Sequence, residues 1–202
     1  MKWTPHHDDH LERDVDYNPV LEWIVLGVLG LLIAGMAAAA GYRIYLKDLP
    51  FQTMTLVFSS LVLLHGIYMM GWRRGLALFG IALGVGFLME YLGVKTGWIF
   101  GRYHYTDVLN PKLLGTVPAV IPLAWFMVLY PSHQMANLML TGRSVGGPKG
   151  VWATGFAALL TAMILTAWDL VMDPVMVLDV KAWVWETGGG YYGIPFHNFA
   201  GW

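Results

Sequence analysis

The sequence predicts an all-α fold, a polytopic membrane helix bundle of about five transmembrane helices. The chain of 202 residues is 57% hydrophobic, and its mean hydropathy is +0.55. Only 12% of its residues are charged, whereas about a quarter are charged in a typical soluble domain. Five separate apolar runs come close to or exceed the roughly 20 residues that a helix needs to cross a bilayer core.

These five apolar runs set the expected order of helices. They are residues 23–41, 49–72, 75–89, 113–142 and 151–172. The third run is short and reaches spanning length only if it continues through Glu90. The fourth contains three prolines, so we expect it to be kinked or to begin as a re-entrant segment. Residues 1–20 form a polar tail, and residues 21–202 are predicted to be a single transmembrane helical domain.

Two aromatic-rich segments, residues 96–114 and 179–202, contain no run long enough to span. Both follow odd-numbered runs, so we expect them at the same face of the membrane. The lysines and arginines are evenly divided between the two faces, which leaves the orientation undecided. We expect an integral membrane protein, placed in the bacterial inner (cytoplasmic) membrane.

Charge and cysteine content exclude several kinds of site. The formal net charge of −1 gives no reason to expect a nucleic-acid partner. The absence of cysteine excludes disulfides and thiolate metal sites. The stretch HHDDH in the polar tail contains metal-binding atoms, but such a stretch is more often solvated, and we predict no metal.

Three carboxylates lie within apolar surroundings. Glu90, Asp169 and Asp173 are costly there, and such groups usually face a bundle interior or a polar cavity. Asp169 and Asp173 are four residues apart in WDLVMDP and share one helical face, and Pro174 is expected to end or kink the helix beyond them. Because close carboxylates do not easily ionise together, at least one should keep its proton, as a general acid requires.

Two simpler roles remain open for these acids. Glu90 could be a helix-end residue that reaches the headgroups. One aspartate could be a structural partner of Arg102 or Lys95.

Aromatic residues are abundant and lie close to the acids in sequence. The chain has ten Trp, ten Tyr and nine Phe, some of which are expected in interfacial belts. An aromatic face stabilises a cation by roughly 0.5 to 2 kcal/mol. Acids combined with aromatic faces suit protonation of an apolar alkene to a carbocation. The same residues would equally suit a long polyene pigment that is bound without chemistry.

Three stretches of the sequence carry a family resemblance. EYLGVKTGWIFGRYHYTDVLNPKLLGTVPAVIPLAWFMVLYP, WDLVMDPVMV and GGGYYGIPFHNFAGW resemble the bacterial and archaeal carotenoid biosynthesis membrane proteins. That family includes carotenoid 1,2-hydratases of the bisanhydrobacterioruberin hydratase type. The resemblance covers about residues 63–202, whereas residues 1–47 match nothing in the family. It implies further helices after the final GW, whereas the sequence stops at Trp202.

The resemblance implies hydration of the terminal double bond of an acyclic carotenoid end. No cofactor is required, because no redox step occurs, and a carotenoid could be bound. The predicted catalytic residues are Asp169, Asp173, Glu90 and His104. The predicted substrate-binding residues are Trp98, Arg102, Tyr103, Tyr105 and Tyr192.

Each of these residues has an expected role. Asp169 or Asp173 is expected to protonate the alkene, and Glu90 with His104 to orient or deprotonate the attacking water. Trp98, Tyr103 and Tyr192 are expected to face the cation. Arg102 is expected to pair with Glu90 or Asp107.

A rival hypothesis assigns the chain to a different class. It would be a non-catalytic transmembrane subunit of a larger pigment–protein complex, such as a photosynthetic one, built on the same scaffold. Both hypotheses include membrane lipid and a carotenoid as partners. The polar N-terminal tail is expected to be held by a protein partner.

Overall fold

The computed structural model describes residues 51–143 and 146–202. The polar tail and the first apolar run lie outside these residues. The contact expected between the tail and a protein partner lies outside them as well. The predicted division into a tail and a single domain therefore stays a prediction.

Long helices make up most of the described chain. They are α1 (Phe51–Met70), α2 (Trp72–Thr96), α3 (Val120–Thr141) and α4 (Val151–Leu178), followed by the short α5 (Phe196–Gly201). The strands are β1 (Tyr103–Tyr105), β2 (Lys112–Leu113), β3 (Val117–Pro118) and β4 (Trp183–Trp185). The expected all-α class is therefore broadly correct, and the two small sheets were not expected.

Three of the described helices, α1, α2 and α4, are long and apolar enough to cross a membrane. Helix α3 is not among them, although it has 22 residues. Its second half carries the polar residues Ser132, His133, Gln134 and Asn137. The apolar run predicted from residue 113 begins as the β2–β3 hairpin, and the helix starts only at Val120. The predicted count of five spans is not confirmed.

Glycines set the limits of α2. Gly71, with a φ of 82°, separates α2 from α1. This positive φ is readily available to glycine, and it interrupts the helix between Met70 and Trp72. At the other end, Gly97 has a φ of 69° and its N–H donates to the carbonyl of Gly93, a common helix C-terminus. Glu90 therefore lies inside the helix, and its residue is only 6% exposed.

Helix α4 continues through Pro174 to Leu178, although we expected the helix to end or kink there. Proline lacks the N–H that would bond to the carbonyl four residues earlier. That carbonyl belongs to Leu170, and it accepts a hydrogen bond of 2.8 Å from the Tyr191 hydroxyl. The aromatic C-terminal segment thus replaces the bond that the proline removes.

Helix α3 lies at the centre of the bundle and contacts α1, α2 and α4. At the end where α2 and α4 terminate, β1 pairs antiparallel with β4, so that Tyr103 faces Trp185 and Tyr105 faces Trp183. The two aromatic segments therefore lie at the same end of the bundle, as the sequence predicted. We call this the aromatic end.

Candidate active site

A cavity of about 90 Å³ lies where the helices meet the aromatic end. Its polar lining consists of Glu90, Asp169, Asp173, Tyr103, Tyr105 and Asn198. Its largest apolar side chains are Phe51, Phe100, Trp125, Trp168, Trp183, Trp185 and Trp202. All three intramembrane carboxylates predicted as site residues therefore face one cavity, rather than separate structural partners or the headgroups.

Glu90 accepts hydrogen bonds from three neutral donors. The hydroxyls of Tyr103 and Tyr105 donate to its Oε2 at 2.5 and 2.7 Å, and Trp125 Nε1 donates to its Oε1 at 2.9 Å. Among the described residues, no lysine or arginine forms an ion pair with Glu90. The three donors come from two different elements, so this carboxylate joins α2 to β1 and α3.

The alternation of strand β1 explains which aromatic residues reach the cavity. Successive side chains in a strand point to opposite faces, and the pattern in β1 is buried, exposed, buried. Tyr103 and Tyr105 therefore point inward, and His104 points outward. Nδ1 of His104 instead lies 3.4 Å from Oε1 of Glu186, and both side chains are about half exposed.

Asp169 and Asp173 are joined by one amide. Nδ2 of Asn198 donates at 2.8 Å to Oδ2 of each aspartate, so these two oxygens are at most twice 2.8 Å apart. Trp183 Nε1 donates to Oδ1 of Asp173 at 2.8 Å. No described residue forms a hydrogen bond to Oδ1 of Asp169. Both oxygens of Asp173 thus accept bonds, whereas one oxygen of Asp169 is left for a ligand.

Aromatic rings form the remaining walls. Trp125 and Trp202 are stacked, with centroids 4.3 Å apart and planes inclined by 10°. The Tyr103 and Trp185 rings lie 4.9 Å apart. Trp202 Nε1 also donates to Oδ1 of Asn198 at 3.2 Å, which directs the Asn198 amide nitrogen toward the two aspartates. The rings therefore position the polar groups as well as shield them.

Four of the predicted site residues lie outside the cavity. Trp98 is 84% exposed and Tyr192 is 60% exposed, because each lies in a turn at the aromatic end. Arg102 and His104 are exposed because they alternate with the inward tyrosines. The expected partners of Arg102 are also taken by other groups: Lys112 Nζ donates to Asp107 at 3.0 Å, and Glu90 is bonded to neutral donors.

Several cavity residues were not predicted as site residues: Trp125, Trp183, Trp185, Asn198 and Trp202. Asn198 offered a signal, since it is an amide within the otherwise aromatic stretch FHNFAGW. Trp183 and Trp185 follow Asp173 closely in sequence, which also suggested proximity. Trp125 gave no signal, because it lies inside an apolar run with no polar neighbour.

Burial controls the protonation of the two tyrosines. It is the main cause that raises the pKa of Tyr103 and of Tyr105 above the ordinary 10.0, and the charge of Glu90 acts in the same direction. Both residues therefore remain neutral phenols that donate to Glu90 throughout the physiological pH range.

These raised pKa values predict alkaline destabilisation. Above about pH 10 the tyrosines of the unfolded chain ionise while the folded ones keep their protons, so stability is present below pH 10 and falls as pH rises. We expect the thermal unfolding temperature in detergent to decrease as the pH is raised from about 9 to 11, roughly one unit on either side of the ordinary tyrosine pKa. The double variant Tyr103→Phe/Tyr105→Phe should show a shallower slope, and an unchanged slope would contradict this prediction.

Two comparisons with known proteins identify the family of this chain. The sequence profile of the family described as "Carotenoid biosynthesis protein" matches residues 51–202. The bisanhydrobacterioruberin hydratase of Haloarcula japonica is 32% identical over 183 residues, which cover 88% of this chain and 59% of that protein. No solved structure matches.

The extent of these matches corrects one expectation. The 88% of this chain that aligns with the Haloarcula protein amounts to about 178 residues, more than the 152 residues from 51 to 202. Part of the first 50 residues therefore also aligns, although we expected residues 1–47 to match nothing. Three apolar helices and the family together indicate a membrane protein, and the chain belongs to the carotenoid biosynthesis protein family.

Proposed function

We propose that this protein adds water to the terminal double bond of an acyclic carotenoid by acid catalysis, in the cytoplasmic membrane. The observation that carries the proposal is the cavity in which three buried carboxylates meet aromatic walls. A relative named as a hydratase supports the same reaction class.

Asp169 is the proposed acid. Like charges so close together disfavour simultaneous ionisation, so the pair with Asp173 retains a proton. Hydrogen bonds from N–H groups favour the ionised form of a carboxylate, and Asp173 accepts two such bonds whereas Asp169 accepts one. We therefore assign the proton to Oδ1 of Asp169, the oxygen to which no described residue donates a hydrogen bond.

The reaction balances without an electron acceptor. The π electrons of the terminal double bond take the proton from Asp169 at the less substituted carbon. A tertiary cation forms at the carbon that carries the two methyl groups. The oxygen of water bonds to that carbon, and the released proton passes to a carboxylate of the cavity, from which Asp169 is reprotonated. One molecule of water is added, and neither partner is oxidised overall.

The walls of the cavity stabilise the cation. Tyr103, Trp125 and Trp202 line the cavity, and an aromatic ring beside a cation can contribute roughly 0.5 to 2 kcal/mol. The carboxylates Glu90 and Asp173 add negative charge where water is largely excluded, and charge stabilisation is strongest in such surroundings.

Glu90 has a second role as a positioning residue. Because it accepts three hydrogen bonds, it fixes the orientation of two tyrosine rings and one tryptophan ring. A tightly positioned ring contributes more to transition-state stabilisation than a mobile one, since it needs no reorganisation.

The direct test is production of hydrated carotenoid. The full chain is expressed in a lycopene-producing host, and the extracted carotenoids are analysed by mass spectrometry. We expect 1-hydroxy products heavier than lycopene by one or two water molecules. A double variant, Asp169→Asn/Asp173→Asn, keeps side-chain size and serves as the control that should yield no product.

Two outcomes would contradict the proposal. One is the absence of hydrated product from membranes that contain the wild-type chain in quantity. The other is equal product from the double variant. Co-purification of unchanged pigment with an inactive wild-type chain would instead favour the pigment-binding subunit.

A further inference from the structure

Three uncharged helix residues, Met127, Val128 and Trp168, line the cavity on α3 and α4. They lie at about the same depth along the helices as Asp169, which follows Trp168 directly. Asp173 and Glu90 lie closer to the aromatic end, five and six residues from the ends of α4 and α2. We call Met127, Val128 and Trp168 the side opening.

The side opening lies at hydrocarbon depth. Trp168 is ten residues from the end of α4 at Leu178, which corresponds to about 15 Å at 1.5 Å per residue. Val128 is eight residues from the start of α3 at Val120, or about 12 Å. The aromatic end itself carries exposed charged residues, such as Arg102 and Lys181, and therefore faces water. The side opening thus lies at the depth of the lipid tails in a bilayer core about 30 Å thick.

The exposure of Trp168 shows that it lies at the edge of the cavity. It is 47% exposed, whereas the other residues that line the cavity are buried or partly buried. Helix α4 packs along α3, and among the described elements no comparable contact joins it to α1 or α2. Among the described helices, the bundle is therefore least closed beside α4.

The cavity is too small to enclose a long polyene, so such a substrate needs an opening. A volume of about 90 Å³ is far below the roughly 300–1,000 Å³ of pockets that enclose drug-sized ligands. It can take a branched hydrocarbon end, but the rest of a long polyene must remain outside.

We propose that the side opening is a lateral entrance through which an acyclic polyene passes from the lipid to the carboxylates. This inference rests on the proposed function and adds the route and direction of the substrate. The end group points toward the aromatic end, and the polyene leaves past Trp168 and Met127 into the lipid. Water reaches the same carboxylates from the aromatic end.

Reversible chemical labelling of a cysteine introduced at the side opening tests the proposed entrance. The chain contains no cysteine, so a single introduced cysteine can be labelled selectively. Met127→Cys is modified with a bulky aromatic methanethiosulfonate reagent, which a reducing agent later removes. Met139→Cys, on the same helix but 66% exposed and outside the cavity lining, is the matched control.

The primary measurement is the carotenoid retained by the purified full chain after lycopene is supplied to it, with lycopene and its hydrated product counted together from their visible absorption. Labelling at position 127 is expected to lower this retained carotenoid about tenfold or more, and reduction should restore it. Labelling at position 139 should leave it unchanged. Equal retention with and without the label at 127, an equal loss with the label at 139, or no retention by the unlabelled chain would each overturn the entrance.

Hydrated product is measured in the same samples, so the two proposals fail separately. Continued hydration of lycopene with the label at 127 in place would overturn the entrance and leave the hydratase proposal standing. If the label at position 127 lowers lycopene retention but no hydrated product forms in any sample, the entrance is supported and the hydratase proposal is contradicted.

Discussion

Replacing Asp169 with Asn is expected to lower the rate of carotenoid hydration by about a hundredfold to ten-thousandfold, the usual contribution of a general acid. The amide has nearly the same size as the carboxyl group but cannot transfer a proton to the alkene. The measurement is the initial rate of formation of 1-hydroxy product in membranes, normalised to the amount of inserted protein.

Asp179→Asn provides the matched control. Asp179 follows α4 and is exposed, so its variant tests the loss of a nearby carboxylate outside the cavity. We expect it to keep the wild-type rate. If Asp169→Asn also kept that rate, Asp169 would not be the acid, and Asp173 would become the candidate.

Replacing Glu90 with Ala is expected to cause the largest loss of stability. Tyr103, Tyr105 and Trp125 would lose their common acceptor. An unsatisfied buried donor costs about 1–3 kcal/mol, so three donors should lower the free energy of unfolding by about 3 kcal/mol or more. The measurement is the thermal unfolding midpoint of the purified chain in detergent.

Two further variants separate this effect from simple loss of charge. Glu90→Gln keeps an acceptor oxygen and should lose less stability than Glu90→Ala. Glu186→Ala removes an exposed carboxylate and should leave the midpoint almost unchanged. Equal midpoints for Glu90→Ala and Glu186→Ala would show that the three hydrogen bonds contribute little.

The sequence by itself determined the features that depend on local periodicity and on solvent. Apolar runs predicted the helices, because a bilayer admits few other structures. A separation of four residues placed Asp169 and Asp173 on one face, because a helix turns once in 3.6 residues. The order of the runs placed both aromatic segments at one end of the bundle.

Only the tertiary structure decided which groups meet across elements. Sequence proximity to Glu90 suggested Trp98, Arg102 and His104, but the alternation of β1 and the turn after α2 direct them outward. Asn198 contacts aspartates 29 and 25 residues earlier, and Trp125 contacts Glu90 35 residues earlier. Such contacts depend on the path of the intervening chain and on the satisfaction of buried polar groups, neither of which a local pattern records.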